Sequence, residues 1–234
     1  DLLAGRVILV TGAGDGLGRT ASLAYARHGA SVILVGRTQK KLETVYDEIL
    51  AEKLAEPLLM PLDLAKAGLR EFGEIAAAID REFGRLDGLL HSAAILGTLT
   101  PLAMYDLETW QKVMQVNFNA AYLLTRACLG VLEKSPDASV VFTTSDVARQ
   151  GRAYWGAYAA AGAALESLAQ EGVTGSAHRI PIVVEHEADG RRDGEGRGRV
   201  VGPGPLQDVN EARAARRLGR GMRAPTDHER FDAR

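Results

Sequence analysis

Between residues 6 and 145 the chain alternates between two hydrophobic rhythms, and that alternation limits the fold more than any other feature. Short apolar runs occur at "RVILVT" (6–11), "SVILVG" (31–36), "PLLMPL" (57–62), "LDGLLH" (86–91) and "ASVVFTTS" (138–145). Longer stretches with helical spacing separate them, at 17–28, 39–54, 66–83 and 105–134. A strand that is apolar at nearly every position has both faces covered, and helices between such strands supply the cover. The pattern predicts a doubly wound parallel sheet in one α/β domain, with a ligand crevice at the carboxyl ends of the strands. A chain of 234 residues is long enough to bury the core of such a domain.

Composition narrows the function classes. The net charge is −2 and 46% of residues are hydrophobic, so no global field draws the protein to nucleic acid or to an anionic membrane. No apolar run reaches the roughly 18–20 residues of a membrane span, and no signal peptide is visible. The single cysteine, Cys128, excludes an internal disulfide framework and fits the reducing cytoplasm. Its setting, "AAYLLTRACLGVL", reads as a buried, inert thiol. Asp1 rather than methionine opens the chain, consistent with a missing short leader. His28 reads as a helix-end residue and His91 as a strand end, and no Cys/His cluster suggests a metal. Tyr105, Trp110 and Trp155 read as packing residues, Trp155 with a weaker claim to a substrate pocket.

From about residue 171 the character changes. Residues 171–234 hold 12 arginines, no lysine, 10 glycines and one aromatic residue, Phe231. Leu, Ile, Val and Phe make up 11 of these 64 residues, too few for a core of their own. The 12 arginines are offset by 11 acids, so a nucleic-acid tail is not indicated. Only "RIPIVVEH" (179–186) reads as a strand, with Pro181 favouring its edge or start. The chain thus divides into residues 1–170 and an atypical tail, 171–234.

Two motifs suggest a nucleotide. "TGAGDGLGR" (11–19) follows the first strand and opens a helix, with Gly12, Gly16 and Gly18 spaced T-G-x-x-x-G-x-G. Glycines there permit a tight turn and bring backbone N–H groups to a pyrophosphate at the positive end of the helix. After the second strand, "GRTQKK" gives Arg37, Lys40 and Lys41 before the first acid, Glu43. A cation at this point suits a ribose 2′-phosphate and an acid suits a free 2′-OH, so NADP is favoured over NAD.

These motifs, with "LDL" (62–64), "LLHSAA" (89–94), "VNFNA" (116–120), "FTTS" (142–145) and "GAYAA" (156–160), resemble in order and spacing the short-chain dehydrogenase/reductase family. "VARQGRAYWGAYAA" (147–160) is particularly similar to its YciK-type bacterial oxidoreductases. The resemblance covers about residues 2–170. It implies a Rossmann-type domain, a homodimer or homotetramer, and hydride transfer between NADP(H) and a small alcohol or carbonyl compound. It also implies that Gly12, Gly16, Leu17, Gly18 and Arg37 hold the cofactor, that Asp63 contacts the adenine, and that Ser92, Ala93 and Ala94 border it. Asn117, Ser145 and Tyr158 are the implied catalytic residues. Carbonyl reduction needs an acid for the developing alkoxide, the part of Tyr158, and a donor fixing the same oxygen, the part of Ser145. Asn117 is implied to hold a water relay.

Three departures stand out. The family's Y-x-x-x-K ends here in Gly162. An unperturbed phenol, with a pKa of about 10, is ionised in roughly one molecule per thousand at pH 7, so the lost cation hurts oxidation more than reduction. Loss of ribose positioning hurts both, and Arg149 and Arg152 are the nearby cations that would compensate. Ser92 and Ala94 replace the more usual N-[AS]-G-like residues. The family's sixth strand, substrate segment and seventh strand are not legible after Gln170, which suggests a disordered tail or a reading-frame change. The alternative to an active oxidoreductase is therefore an impaired nucleotide-binding pseudoenzyme or a frameshifted product.

Overall fold

The computed structural model describes residues 2–171, 182–187 and 199–201. Five strands appear where the apolar runs predict them: β1 (Val7–Thr11), β2 (Ser31–Gly36), β3 (Leu58–Pro61), β4 (Gly88–His91) and β5 (Ser139–Ser145). The helices between them are α1 (Gly16–Arg27), α2 (Gln39–Ala51), α3 (Leu69–Phe83), α4 (Leu107–Met114) and α5 (Ala120–Leu132), followed by α6 (Gly156–Glu171). The single stretch expected at 105–134 is broken. A π-helical turn, Gln115–Asn119, separates α4 from α5. Inserted π turns recur at functional sites because they re-aim the side chains they carry.

The sheet continues past residue 170. β6 (Ile182–Glu187) pairs parallel with β5, and β7 (Arg199–Val201) closes the edge antiparallel. β6 thus lies inside the sheet, beginning just after Pro181, and register sets Glu187 opposite Ser145. β7 has no counterpart in the sequence reading. The rest of the 171–234 tail falls outside the described residues.

Strand order is β3-β2-β1-β4-β5-β6-β7. The chain winds outward from β1 to β3, then returns to place β4 on the other side of β1. That reversal opens a crevice at the carboxyl ends of β1 and β4. Alternating side chains feed the two faces. Leu9, Ile33 and Val35 join Phe72, Ile79, Leu124 and Leu165 beneath α3, α5 and α6. Val10, Val32 and Leu34 join Leu23, Leu42, Val45 and Ile49 beneath α1 and α2. At the far end of the strands, buried Asp87 accepts from the Val7 N–H (2.8 Å), the Ser135 hydroxyl (2.6 Å) and Arg85 (3.1 Å). Burial works to raise its pKa, but these bonds outweigh it and hold the carboxyl below its ordinary value. Among the described residues no helix is long and apolar enough to cross a membrane.

Candidate active site

The crevice is pinned from below by Thr11, the last residue of β1. Its hydroxyl oxygen accepts from the N–H groups of Ser92 (3.2 Å) and Ala93 (3.3 Å), tying the turn after β1 to the segment after β4. Gly12 adopts φ +71°, and a Cβ there would lie 3.0 Å from the Ala93 backbone. A Cβ on Gly18 would collide with the Gly12 carbonyl. The glycines thus serve two ends, a left-handed turn and a close approach of α1 to the strand ends. Asp15 caps α1 at the Gly16 N–H (2.8 Å) and pairs with Lys41 (2.5 Å). The Lys41 bond first, and the Gly16 N–H second, hold its carboxyl below the usual range.

Above these ends lies an open cleft of about 680 Å³. Its lining follows the sheet order. Gly12, Gly16 and Leu17 border it at the first turn, Arg37, Thr38 and Lys41 beyond β2, and Asp63 after β3. Ser92, Ala93 and Ala94 follow β4, and Trp155 and Tyr158 close the side next to β5. All the expected cofactor residues line it except Gly18, which acts one layer back through the Gly12 contact. The volume falls in the range of small-molecule and cofactor sites.

An adjoining cavity of about 30 Å³ collects the other candidates. Asn117, Ser145, Tyr158 and Gly162 all line it, and it shares Ala93, Thr144 and Tyr158 with the cleft. The three residues arrive from the π turn, the end of β5 and the first turns of α6. The Ser145 hydroxyl is buried there without a hydrogen-bond partner. An orphaned hydroxyl in a mostly apolar cavity is costly unless a ligand completes it. Asn117 is buried, and its amide bonds the Ile95 carbonyl and N–H, each at 2.9 Å. It therefore anchors the wall of the cleft. The Trp155 ring stands edge-on to Tyr158, centroids 5.9 Å apart, so Trp155 borders the cleft instead of merely packing. Tyr105 and Trp110 do pack, edge to face at 5.6 Å.

Three candidates drop out of the chemistry. His91 is buried, stacked on Phe142 and bonded to the Thr125 hydroxyl (2.8 Å), and burial pushes its pKa down to about 3. It stays neutral at physiological pH. Burial pushes the Cys128 thiol up to about 12, which makes it inert. Arg149 bonds Glu166 on α6 (3.0 Å) and lines neither cavity. Among the described residues lining the two cavities, the cations are Arg37 and Lys41, both beside β2. Among the described residues no group of three or more His, Cys, Asp or Glu side chains is placed to hold a metal. Three further residues join the site with weaker signals in the sequence: Thr11 opens the glycine motif and Thr144 sits in "FTTS", but Ile95 carries no local signal.

Comparison with known proteins places the geometry. The oxidoreductase YciK of Escherichia coli is 48% identical over 170 residues, covering 73% of this chain and 68% of YciK. A short-chain dehydrogenase of Shigella flexneri, solved with NADP, is 47% identical with a TM-score of 0.71, covering 73% of this chain and 72% of that one. An Escherichia coli counterpart solved with NADPH is 48% identical with the same TM-score, covering 73% and 71%. The short chain dehydrogenase family model matches residues 6–183, from the start of β1 into β6, and on that match this chain belongs to the short-chain dehydrogenase family.

Proposed function

We propose that this chain binds NADP(H) and reduces a small carbonyl compound, with Tyr158 as the proton donor. The carrying observation is the convergence of Asn117, Ser145 and Tyr158 on one cavity beside a cleft whose other side carries Arg37 and the glycine turn. The cleft fits the cofactor. Exposed Arg37, with Thr38 and Lys41, supplies cations and a hydroxyl for a 2′-phosphate. The N-terminus of α1, where Gly16 and Leu17 border the cleft, would hold the pyrophosphate with the positive end of the helix. Of the other residues lining the cleft, Asp63 would contact the adenine, and Ser92, Ala93 and Ala94 would border the cofactor. Related proteins solved with NADP and NADPH support the choice of cofactor.

NADPH, when bound, supplies a hydride to the carbonyl carbon. Tyr158 gives its phenolic proton to the carbonyl oxygen as charge develops there. The Ser145 hydroxyl, which lacks a protein partner, donates to the same oxygen and orients it. Asn117 acts by holding Ile95 and the wall that carries Ala93 and Ala94. On the same reading the protein is a cytoplasmic homodimer or homotetramer.

A second reading, nucleotide binding without turnover, is favoured by one observation. Position 162, a helical turn from Tyr158, is glycine, and no cation replaces it among the described residues lining the cavity. Titration of NADPH by fluorescence, followed by a carbonyl panel, separates the two. Binding with turnover supports the first reading, binding alone supports the second, and neither outcome fits a chain that fails to bind.

A further inference from the structure

Tyr158, Gly162 and Leu165 stand at i, i+4 and i+7 on one face of α6, the face that lines the small cavity. Glycine inside a helix is normally a weak choice, and alanine there usually stabilises. Here the neighbours forbid it. A Cβ at 162 would lie 2.9 Å from the Ala148 Cβ and 3.2 Å from the Thr144 hydroxyl oxygen. The nearer neighbour does not yield easily, while the farther needs to give by only a few tenths of an ångström. The Ala148 methyl has no rotamer and moves only with its backbone, a 3₁₀ turn (Asp146–Ala148) where Arg149 N–H and Gln150 N–H both bond the Asp146 carbonyl at 3.0 Å. The Thr144 hydroxyl oxygen accepts from the Ser145 N–H at 2.6 Å. The Arg149–Glu166 bond then clamps this turn onto α6 one helical turn beyond Gly162.

We infer that Ala148 is a positioning residue whose methyl group closes position 162 to every side chain, so that positions 148 and 162 act as a pair. Replacing Gly162 alone cannot put a group beside Tyr158 without displacing the turn. Removing the Ala148 methyl leaves the Thr144 hydroxyl at 3.2 Å and the Ala148 Cα at 3.8 Å as the nearest atoms, a contact the helix can relax. The stability half of this inference stands on packing alone. The catalytic half rests on the proposed carbonyl reduction.

The test is a cycle of full-chain variants, each read by Tm, NADPH affinity and carbonyl turnover. In the native background Gly162→Ala lowers Tm by about 2–4 °C, against the usual sign for glycine in a helix. In the Ala148→Gly background the same substitution raises Tm. A Gly162→Ala variant that is stabilised in both backgrounds overturns the pairing. Gly162→Lys with Ala148→Gly raises turnover at least tenfold over Gly162→Lys alone, whereas Gly162→Met with Ala148→Gly fits as well and gains nothing. Equal turnover for the Lys and Met double variants overturns the positioning role. A restored Tm with bound NADPH and no turnover in any variant keeps the pairing and instead contradicts the proposed reduction.

Discussion

Asn117 grips Ile95 by both backbone groups, Nδ2 on the carbonyl and Oδ1 on the N–H, each at 2.9 Å. The grip runs from the π turn to the loop after β4, so the cleft wall is set by a side chain in a re-aimed helix. Asn117→Ala removes both bonds and leaves two backbone groups short of partners. The expected cost is about 2 kcal/mol. Amide exchange at Ile95 should quicken and NADPH affinity should fall, while Asn117→Asp keeps the acceptor half and restores only part of either.

Arg37 is the charge argued to choose the cofactor. Arg37→Ala should weaken NADPH binding by about 10–100-fold, the worth of one charge-assisted contact to phosphate, and leave NADH affinity nearly unchanged. Parallel titrations with the two cofactors check it, and an equal loss for both removes Arg37 from 2′-phosphate recognition.

His91 makes the fold sensitive to acid in a defined window. Its folded pKa, about 3, lies below the unfolded value near 6.5, so the unfolded chain takes up the proton first. Its contribution is fully present above pH 6.5 and is lost progressively as pH falls toward 3. Between pH 7 and 4.5 the expected loss is about 2–3 kcal/mol. Urea midpoints at the two pH values measure it, and His91→Gln should flatten the difference.

Tyr154 carries strain at the entrance to α6. It is exposed and sits at φ +76°, where a bulky residue is disfavoured, while its carbonyl accepts from the Thr100 N–H (3.2 Å). Tyr154→Asn keeps that backbone bond and should stabilise by about 1 kcal/mol. Thermal melts compare the two, and an unchanged or lower Tm for the variant shows that the side chain earns its place through contacts beyond the backbone.

The parts of this molecule legible in sequence are those governed by local pattern. β1 to β5 announce themselves because buried parallel strands are continuously apolar, and the turn after β1 because Gly12 and Gly18 answer to steric limits nothing else meets. Tyr158 and Ser145 were legible as a pair only through family spacing, since neither has a local signature. β7 was not, because three residues amid arginine and glycine carry no period. The π turn escaped because its hydrophobic pattern differs little from that of an α-helix. Ala148 against Gly162, Arg149 on Glu166 and Asn117 on Ile95 escaped because each joins residues 14 to 22 positions apart through the approach of separate elements.

The most direct measurement is NADPH oxidation at saturating cofactor across a carbonyl panel, for the native chain and Tyr158→Phe together. Tyr158 as proton donor predicts turnover in the native chain and a loss of about 10²–10⁴-fold in the variant, with the NADPH dissociation constant unchanged. Equal rates in the two proteins, or tight NADPH binding with no turnover in the native chain, would contradict it.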